Sequence, residues 1–171
     1  MKSSMGNKFP RILWVVGSSL LLVFVVSISL GAKSKGEAQF KTIEVKHFTL
    51  AQGVDLWQDY PNLLYSELRT ELEKKKLAVQ VIEEGGTVAD ADVAGSVVVE
   101  GKITDFKKAG HTMMHPGELT MEVNVYRRSD HSAVASMTPT LKLAPPWYRD
   151  DETLAKITGR WVADEIKKSL K

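Results

Sequence analysis

Histidine and methionine side chains come together at one place in this sequence. His111, Met113, Met114 and His115 lie within five residues, and imidazole with thioether ligands is a combination that suits copper. The alternative is a polar loop between two strands, because a loop has no fixed geometry until the fold supplies it. The sequence names no second group that would orient these side chains. We therefore keep copper binding as an alternative hypothesis and assign no metal ligand.

The other residues that could carry chemistry have simpler explanations. His47 falls on the predicted inward-facing side of a strand, and spacing ties neither a serine nor an acidic partner to it. We expect a hydrogen-bonded structural histidine there rather than a general base. Asp150 and Asp151 precede a predicted helix, where a carboxylate caps free N–H groups. Asp59 and Asp105 form no recognisable carboxylate pair with them. We assign no catalytic residue and no cofactor, and we expect that the protein is not an enzyme.

A short aromatic segment, Pro-Pro-Trp-Tyr at residues 145–148, precedes the last predicted helix. Aromatic side chains beside proline can anchor a protein partner, because they bury a large area at a low entropic cost. They can equally cover the end of a hydrophobic core. The sequence leaves both explanations open, and we favour the second.

An uncharged apolar segment covers residues 12–30, near the N-terminus. As a helix it would be about 28 Å long, close to the hydrocarbon thickness of a bilayer. Lys2, Lys8 and Arg11 precede it and favour a cytoplasmic N-terminus. The sequence therefore predicts an exported protein, either anchored in the inner membrane or released into the periplasm after cleavage. Residues 1–31 are the predicted signal peptide or anchor, 32–39 a tether, and 40–171 the exported domain.

Charge and cysteine content narrow the classes of function. Without the three basic residues that precede the apolar segment, the chain has 20 Lys and Arg against 21 Asp and Glu. This balance argues against nucleic-acid binding, which needs a concentrated basic face. The chain has no cysteine, which excludes disulfides, thiolate metal sites and the lipid-carrying cysteine of a bacterial lipoprotein.

Hydrophobic periodicity predicts five strands and two helices. Alternation at residues 40–48 indicates a first strand, and leucines at every fourth position from Leu64 to Leu72 indicate a helix that begins near Pro61. Further strands are predicted at residues 77–82, 97–106, 119–126 and 133–138, with Pro139 ending the last of them. Gly101 indicates a bulge or a close backbone approach. A final helix is predicted from about residue 150 to residue 170, with Trp161 in the core.

These elements predict an α/β (α+β) fold with the order β-α-β-β-β-β-α. The first two strands should be parallel and the later ones an antiparallel meander, so the sheet is mixed. Two amphipathic helices can cover one face of the sheet, which gives a two-layer sandwich. The other face would be lined by Thr, Glu, Lys and Asn and open to water. One N-terminal apolar helix would precede this domain.

Three stretches of the chain carry a resemblance. The residues Ala-Asp-Val at 91–93, the strand at 97–106 and the strand at 117–126, followed by a terminal helix, resemble a family of uncharacterised bacterial envelope proteins, often lipoproteins. More distantly, they are similar to the small domains of the TolB N-terminal and curli-secretion CsgG type. The resemblance covers about residues 40–170. It implies an α/β sandwich in the periplasm or at a membrane.

The resemblance and the residues together imply protein partners rather than substrates. We expect a non-enzymatic interaction or assembly domain, in which the sheet surface or an edge strand docks another envelope protein. The membrane itself would be a partner through residues 12–30 if they are retained, and no nucleic acid is expected. The alternative is a periplasmic domain that binds a small ligand or a metal through the loop from His111 to His115.

Overall fold

The computed structural model describes residues 38–108, 117–143 and 150–170. The predicted apolar helix at residues 12–30, the cluster from His111 to His115 and the aromatic segment at 145–148 lie outside them. Among the described residues, no helix has both the length and the apolar character needed to cross a bilayer. The elements, in chain order, are β1 (Phe40–Val45), β2 (Thr49–Leu50), α1 (Tyr60–Lys75), β3 (Ala78–Glu83), α2 (Asp90–Val93), β4 (Val97–Lys107), β5 (Gly117–Arg127), β6 (Ala133–Met137), β7 (Thr140–Leu143) and α3 (Asp151–Ser169).

The strands form one mixed sheet in the order β3-β1-β4-β5-β6. β1 is parallel to β3 on one side and to β4 on the other. β4, β5 and β6 form an antiparallel meander. The predicted parallel β-α-β unit and the predicted meander are therefore confirmed. The described sheet has seven strands rather than five, because β2 pairs with β4 and β7 pairs with β5.

The predicted strand at residues 133–138 ends before Pro139 as expected, because β6 stops at Met137, but the sequence missed β7, which begins at Thr140. β6 pairs with β5 from Val123 to Tyr126, and β7 then pairs with β5 from Gly117 to Thr120. Between them the carbonyl of Pro139 accepts a hydrogen bond of 3.2 Å from the Met121 N–H. Proline lacks an N–H to donate, so it is tolerated on an edge strand, where it interrupts the pairing without ending it.

The hydrophobic core lies between one face of the sheet and the two long helices. Leu64, Leu68 and Leu72 of α1 are fully buried, as the leucine spacing predicts. α3 adds Leu154 and Ile166 to the same cluster, while Trp161 is only partly buried at its margin. The strands contribute an alternating set of buried residues, Ile43, Val45, Val97, Val99, Ile103, Leu119, Met121, Val123 and Val125. Both long helices thus cover one face of the sheet, and each fully buried Leu or Ile adds about 1.5–3 kcal/mol of stability.

The two long helices also contact each other. A Cβ on Gly159 of α3 would lie 3.0 Å from the backbone nitrogen of Leu68, so a larger residue here would push the helices slightly apart. The Tyr60 hydroxyl donates a hydrogen bond of 2.9 Å to the Thr158 hydroxyl inside the core. Burial raises the pKa of Tyr60 far above its ordinary value. The phenol is therefore a neutral hydrogen-bond donor between the helices.

The second face of the sheet is only partly open, which corrects the prediction of a fully solvated face. Thr42 and Glu44 of β1 are buried, and so are Ile82 and Val98, their neighbours on this face. The segment between β3 and β4, which includes α2, contacts β1. Its Gly85 N–H donates a hydrogen bond of 3.0 Å to Glu44 Oε1. The crossover between the two strands therefore covers one half of this face.

An arginine completes the cover over this half of the sheet. Arg128 follows β5, forms an ion pair with Glu44 through Nη1, and donates from Nη2 to the carbonyl of Gly86 at 3.3 Å. A buried carboxylate needs such a partner, because removal of a charge from water is costly. β1, the β3–β4 crossover and the end of β5 are thereby joined at one point.

Gly101 lies where the ring of Phe48 packs on the sheet. A Cβ on Gly101 would overlap this ring, and Phe48 is 3% exposed, so the ring has little room to move. A close approach at Gly101 is present, but the approaching group is a side-chain ring rather than the backbone that the sequence predicted. The register shift of β4 lies further along, between Ile103 and Asp105.

The contact between Gly101 and Phe48 predicts a conditional effect of mutation. Gly101→Ala should lower the free energy of unfolding by about 1–3 kcal/mol, because the added methyl overpacks the ring. In a Phe48→Ala background the same change should be neutral or stabilise by about 0.5 kcal/mol, since alanine suits a strand better than glycine. Urea unfolding of the four chains measures this. An equal penalty in both backgrounds would contradict the packing described.

Candidate functional site

The two parallel strands β1 and β3 end side by side, and polar residues follow both ends. In open α/β sheets ligands bind beyond the carboxyl ends of the strands. A depression of about 410 Å³ lies here on the second face of the sheet. We call it the polar cleft, and its lining residues are Lys46, His47, Thr49, Glu84, Glu100, Gly101, Lys102, Glu122 and Asn124.

His47 and Glu84 form one side of the polar cleft. His47 Nδ1 lies 3.1 Å from Glu84 Oε2, and the His47 backbone N–H donates to the same oxygen at 3.1 Å. The imidazole stacks on Tyr65 of α1 at a centroid distance of 3.9 Å and an angle of 15°. The Glu84 backbone N–H in turn donates to the Tyr65 hydroxyl at 3.4 Å. The histidine is thus held in place from two sides.

The predicted inward orientation of His47 is wrong, although its hydrogen-bonded state is as expected. β1 ends at Val45, so the alternation stops before His47 and the next buried side chain is Phe48. His47 is exposed on the cleft side. Its partner Glu84 lies 37 residues away in the sequence and was missed. The signal was present, however, because both residues follow strands that the sequence predicts to be parallel neighbours.

The electrostatics of Glu84 follow from these contacts. The His47 backbone N–H contributes most, and the imidazole adds to it, so the pKa of Glu84 lies below its ordinary value. The carboxylate is half-exposed, so solvent screens these contacts. Glu84 therefore presents a fixed negative charge at the end of β3 throughout the neutral range.

Lys46 and Glu100 form the other side of the polar cleft, and Tyr126 contacts both of them from outside its lining. Lys46 Nζ lies 3.5 Å from Glu100 Oε2, and the Tyr126 hydroxyl donates to the same oxygen at 3.2 Å. Lys46 Nζ also lies 5.5 Å from the centroid of the Tyr126 ring. Hydrogen bonding with Tyr126 is the main influence, and it raises the pKa of Lys46 above its ordinary value. His131, in the turn after β5, also stacks on the Tyr126 ring, with a distance of 5.5 Å between the ring centroids.

The polar cleft suits recognition of a polar surface better than a chemical reaction. Its positively and negatively charged side chains lie next to each other, and its lining residues are exposed or half-exposed to water. Within residues 38–108, 117–143 and 150–170, no three His, Cys, Asp or Glu side chains are grouped so as to hold a metal ion. The four residues of the copper hypothesis lie outside these ranges, so that hypothesis stays a prediction.

The four aspartates considered in the sequence do not meet. Asp150 caps α3, where its carboxylate accepts a hydrogen bond of 2.7 Å from the Thr153 N–H. That contact lowers the pKa of Asp150. The predicted capping role of this residue is confirmed. The others have local contacts instead: Asp151 with the Glu152 N–H, Asp105 with Lys107, and Asp59 with the Asn62 side chain.

The outer edge of β3 is the second feature that could carry function. Among the described residues, β3 pairs with β1 alone. Val79 in this strand is 74% exposed, whereas Trp57, the other exposed large hydrophobic residue in the described part of the chain, is 41% exposed. The carbonyl of Leu77 accepts from the Phe40 N–H, so it points toward β1. Backbone groups alternate along a strand, and those of Ala78, Gln80 and Ile82 therefore point away from the sheet.

Comparison with known proteins identifies the fold. No protein-family model matches the sequence, and no curated protein matches it. The PelC dodecamer from Paraburkholderia phytofirmans is similar in structure, with 12% identity over 73% of this chain and 87% of that chain, at a TM-score of 0.54. Protein XCC0632 from Xanthomonas campestris, of family model DUF330, is similar at 12% identity over 77% of this chain and 85% of that chain, with a TM-score of 0.54. At this low sequence identity, the structural similarity shows a shared fold alone.

Other solved structures show weaker likenesses to this chain. Lipoprotein GNA1162 from Neisseria meningitidis covers 75% of this chain at 9% identity, with 99% of its own length and a TM-score of 0.46. TolB from Acinetobacter baumannii covers 79% of this chain at 16% identity, with only 29% of its own length and a TM-score of 0.40. The likeness to TolB is weak, and that to CsgG-type domains stays a prediction.

The contacts of Glu84 predict how its ionisation responds to mutation. His47→Ala removes the imidazole but keeps the backbone N–H, which is the larger influence, so the pKa of Glu84 should rise only part of the way to its ordinary value of about 4.3. Any stabilisation from this contact is present above that ordinary value and is lost as pH falls through the lowered pKa. A carboxyl NMR titration measures the change, with His131→Ala as the control. A pKa that does not move, or that moves equally in the control, would contradict the geometry.

Proposed function

We propose that this chain is a non-enzymatic cell-envelope protein whose α/β domain assembles with envelope proteins through the outer edge of β3. The main support for the proposal is the edge itself, because its backbone groups point outward and its residue Val79 is 74% exposed. An edge of this kind binds an extended segment by main-chain hydrogen bonds, while alternate side chains give specificity.

The two edges of the described sheet differ in a way that supports the proposal. Proteins protect edge strands with lysine, proline, bulges or short lengths. The β6–β7 edge has such protection, because Pro139 interrupts it and the register shifts at Val125 and Tyr126. β3, Ala-Val-Gln-Val-Ile-Glu, has neither lysine nor proline, and its one charge is Glu83 at the end. The unprotected edge is the better candidate for a partner.

Different observations support the envelope location and the assembly role. The apolar segment at residues 12–30 and the basic residues before it favour export, with the domain anchored at the inner membrane or free in the periplasm. Among proteins that share the fold, PelC is a dodecamer, so this fold is compatible with assembly. The polar cleft would flank such an interface, since Glu84 follows β3 directly.

Docking on β3 predicts a selective effect of charge at Val79. A photo-crosslinking amino acid placed at Gln80 in the full chain should form a discrete adduct in intact cells. Val79→Lys should reduce this adduct at least about tenfold, because a lysine on an edge strand opposes pairing. Its cost to stability should be within about 0.5 kcal/mol, since the side chain is exposed.

Ser136→Lys is the matched control, because Ser136 is exposed on β6 at the opposite edge of the described sheet. It should leave the Gln80 adduct unchanged. The proposal fails if Gln80 gives no adduct, or if both lysine substitutions reduce the adduct equally.

A further inference from the structure

We propose that the partner on the β3 edge is a second copy of this chain, paired antiparallel across a two-fold axis at Gln80. This inference rests on the proposed function, in which β3 is the docking edge. It goes further by naming the partner and the register. The two sheets would join into one continuous sheet, with both copies of β3 at its centre.

The backbone of β3 sets the hydrogen bonds that such a pair can make. The outward groups belong to Ala78, Gln80 and Ile82, because the carbonyl of Leu77 points toward β1 and directions alternate. A two-fold axis at Gln80 places each Gln80 opposite its copy and each Ala78 opposite an Ile82. Each of these hydrogen-bonded pairs exchanges two bonds, which gives about six between the chains.

The side chains of β3 select this register from its neighbours. Side chains of directly opposite residues in an antiparallel pair lie on the same face of the sheet. A register slip by one residue would therefore pair residues that face the helices in one copy with residues that face the polar cleft in the other. With the axis at Gln80, Val79 lies opposite Val81 of the second copy, so apolar groups meet. A register shifted so that Val79 faces its own copy would place Lys76 opposite Ile82. A shift the other way would place Val79 opposite Glu83.

Charges at the two ends of β3 complement each other in this arrangement. Lys76 is exposed and precedes β3, in the left-handed conformation that ends α1. Glu84 is exposed and follows β3. The antiparallel pair therefore brings the end of β3 that follows Lys76 in one copy to the end that precedes Glu84 in the other, so opposite charges lie near each other at both ends. A parallel pair in register would instead oppose Lys76 to Lys76 and Glu84 to Glu84, which disfavours it.

The symmetry also limits how far the assembly can grow. A two-fold interface uses the same patch on both copies, so each β3 edge is consumed and the contact closes. The described edges that remain are the two β6–β7 edges, which carry the proline interruption. A closed pair rather than a growing ribbon is the expected product.

The absence of cysteine makes a direct test possible. The full chain, purified in mild detergent, would carry Gln80→Cys as its one cysteine. Opposite residues of a hydrogen-bonded pair lie about 5.5 Å apart between Cα atoms, which a disulfide can span. Mild oxidation should convert most of the protein to a disulfide dimer. Ser136→Cys, on the opposite edge, is the matched control and should crosslink at least about tenfold more slowly.

Charge reversal tests the register. Lys76→Glu or Glu84→Lys alone should slow the crosslinking of Gln80→Cys about tenfold, and the two together should restore it, because the ion pair is rebuilt with its signs exchanged. A purely structural effect of either change would not be reversed by the other. Failure of the double change to restore crosslinking would overturn the proposed register.

The outcomes separate this inference from the proposed function. If Gln80→Cys crosslinks no faster than Ser136→Cys, while the photo-crosslinker at Gln80 captures a different envelope protein in cells, self-pairing is wrong and docking on β3 stands. If neither experiment gives an adduct at Gln80, both proposals fail. A disulfide dimer of the single-cysteine chain that responds to the charge reversals supports the two-fold pair.

Discussion

The fold depends on one apolar sheet face that two helices must cover from the same side. β1 lies between two parallel neighbours and contributes Ile43 and Val45 to that face. α1 and α3 remove it from water and contact each other at Gly159. Because both long helices are used on this face, the other face is left to the short β3–β4 crossover. Its open remainder becomes the polar cleft, and the outer edge of β3 keeps its outward backbone groups.

The covered half of the second face includes an ion pair beside the buried apolar side chains of Ile82 and Val98. Glu44 is 7% exposed and is satisfied by Arg128 and by the Gly85 N–H. Loss of one partner from such a pair costs more than the pair contributes, because the other charge is left buried. This arrangement joins the end of β5 to the turn after β3. It thereby positions Glu84 beside His47, at the boundary between the polar cleft and the β3 edge.

Local patterns in the sequence predicted most of the fold, while pairing over long distances was beyond them. Alternation and leucine spacing identified the longer strands and both long helices. The two-residue strand β2 is too short for a pattern, and Pro139 concealed β7, because an edge strand tolerates the residue that usually ends a strand. His47 was placed on the wrong side because β1 ends before it. His47 and its partner Glu84 lie 37 positions apart in the sequence. Arg128 and Glu44, which form the ion pair, lie 84 positions apart.

The central claim is that the outer edge of β3 is an interface between copies of this chain, and amide hydrogen exchange of the full chain over a range of concentrations tests it most directly. The amides of Val79 and Val81 point toward β1 and should be protected at every concentration. Those of Ala78, Gln80 and Ile82 point outward, so their protection should appear and increase as the chain associates. If these three amides exchanged rapidly even at the highest concentration, with the rest of the sheet protected, the edge would not be an interface between copies and the account of self-assembly would be wrong.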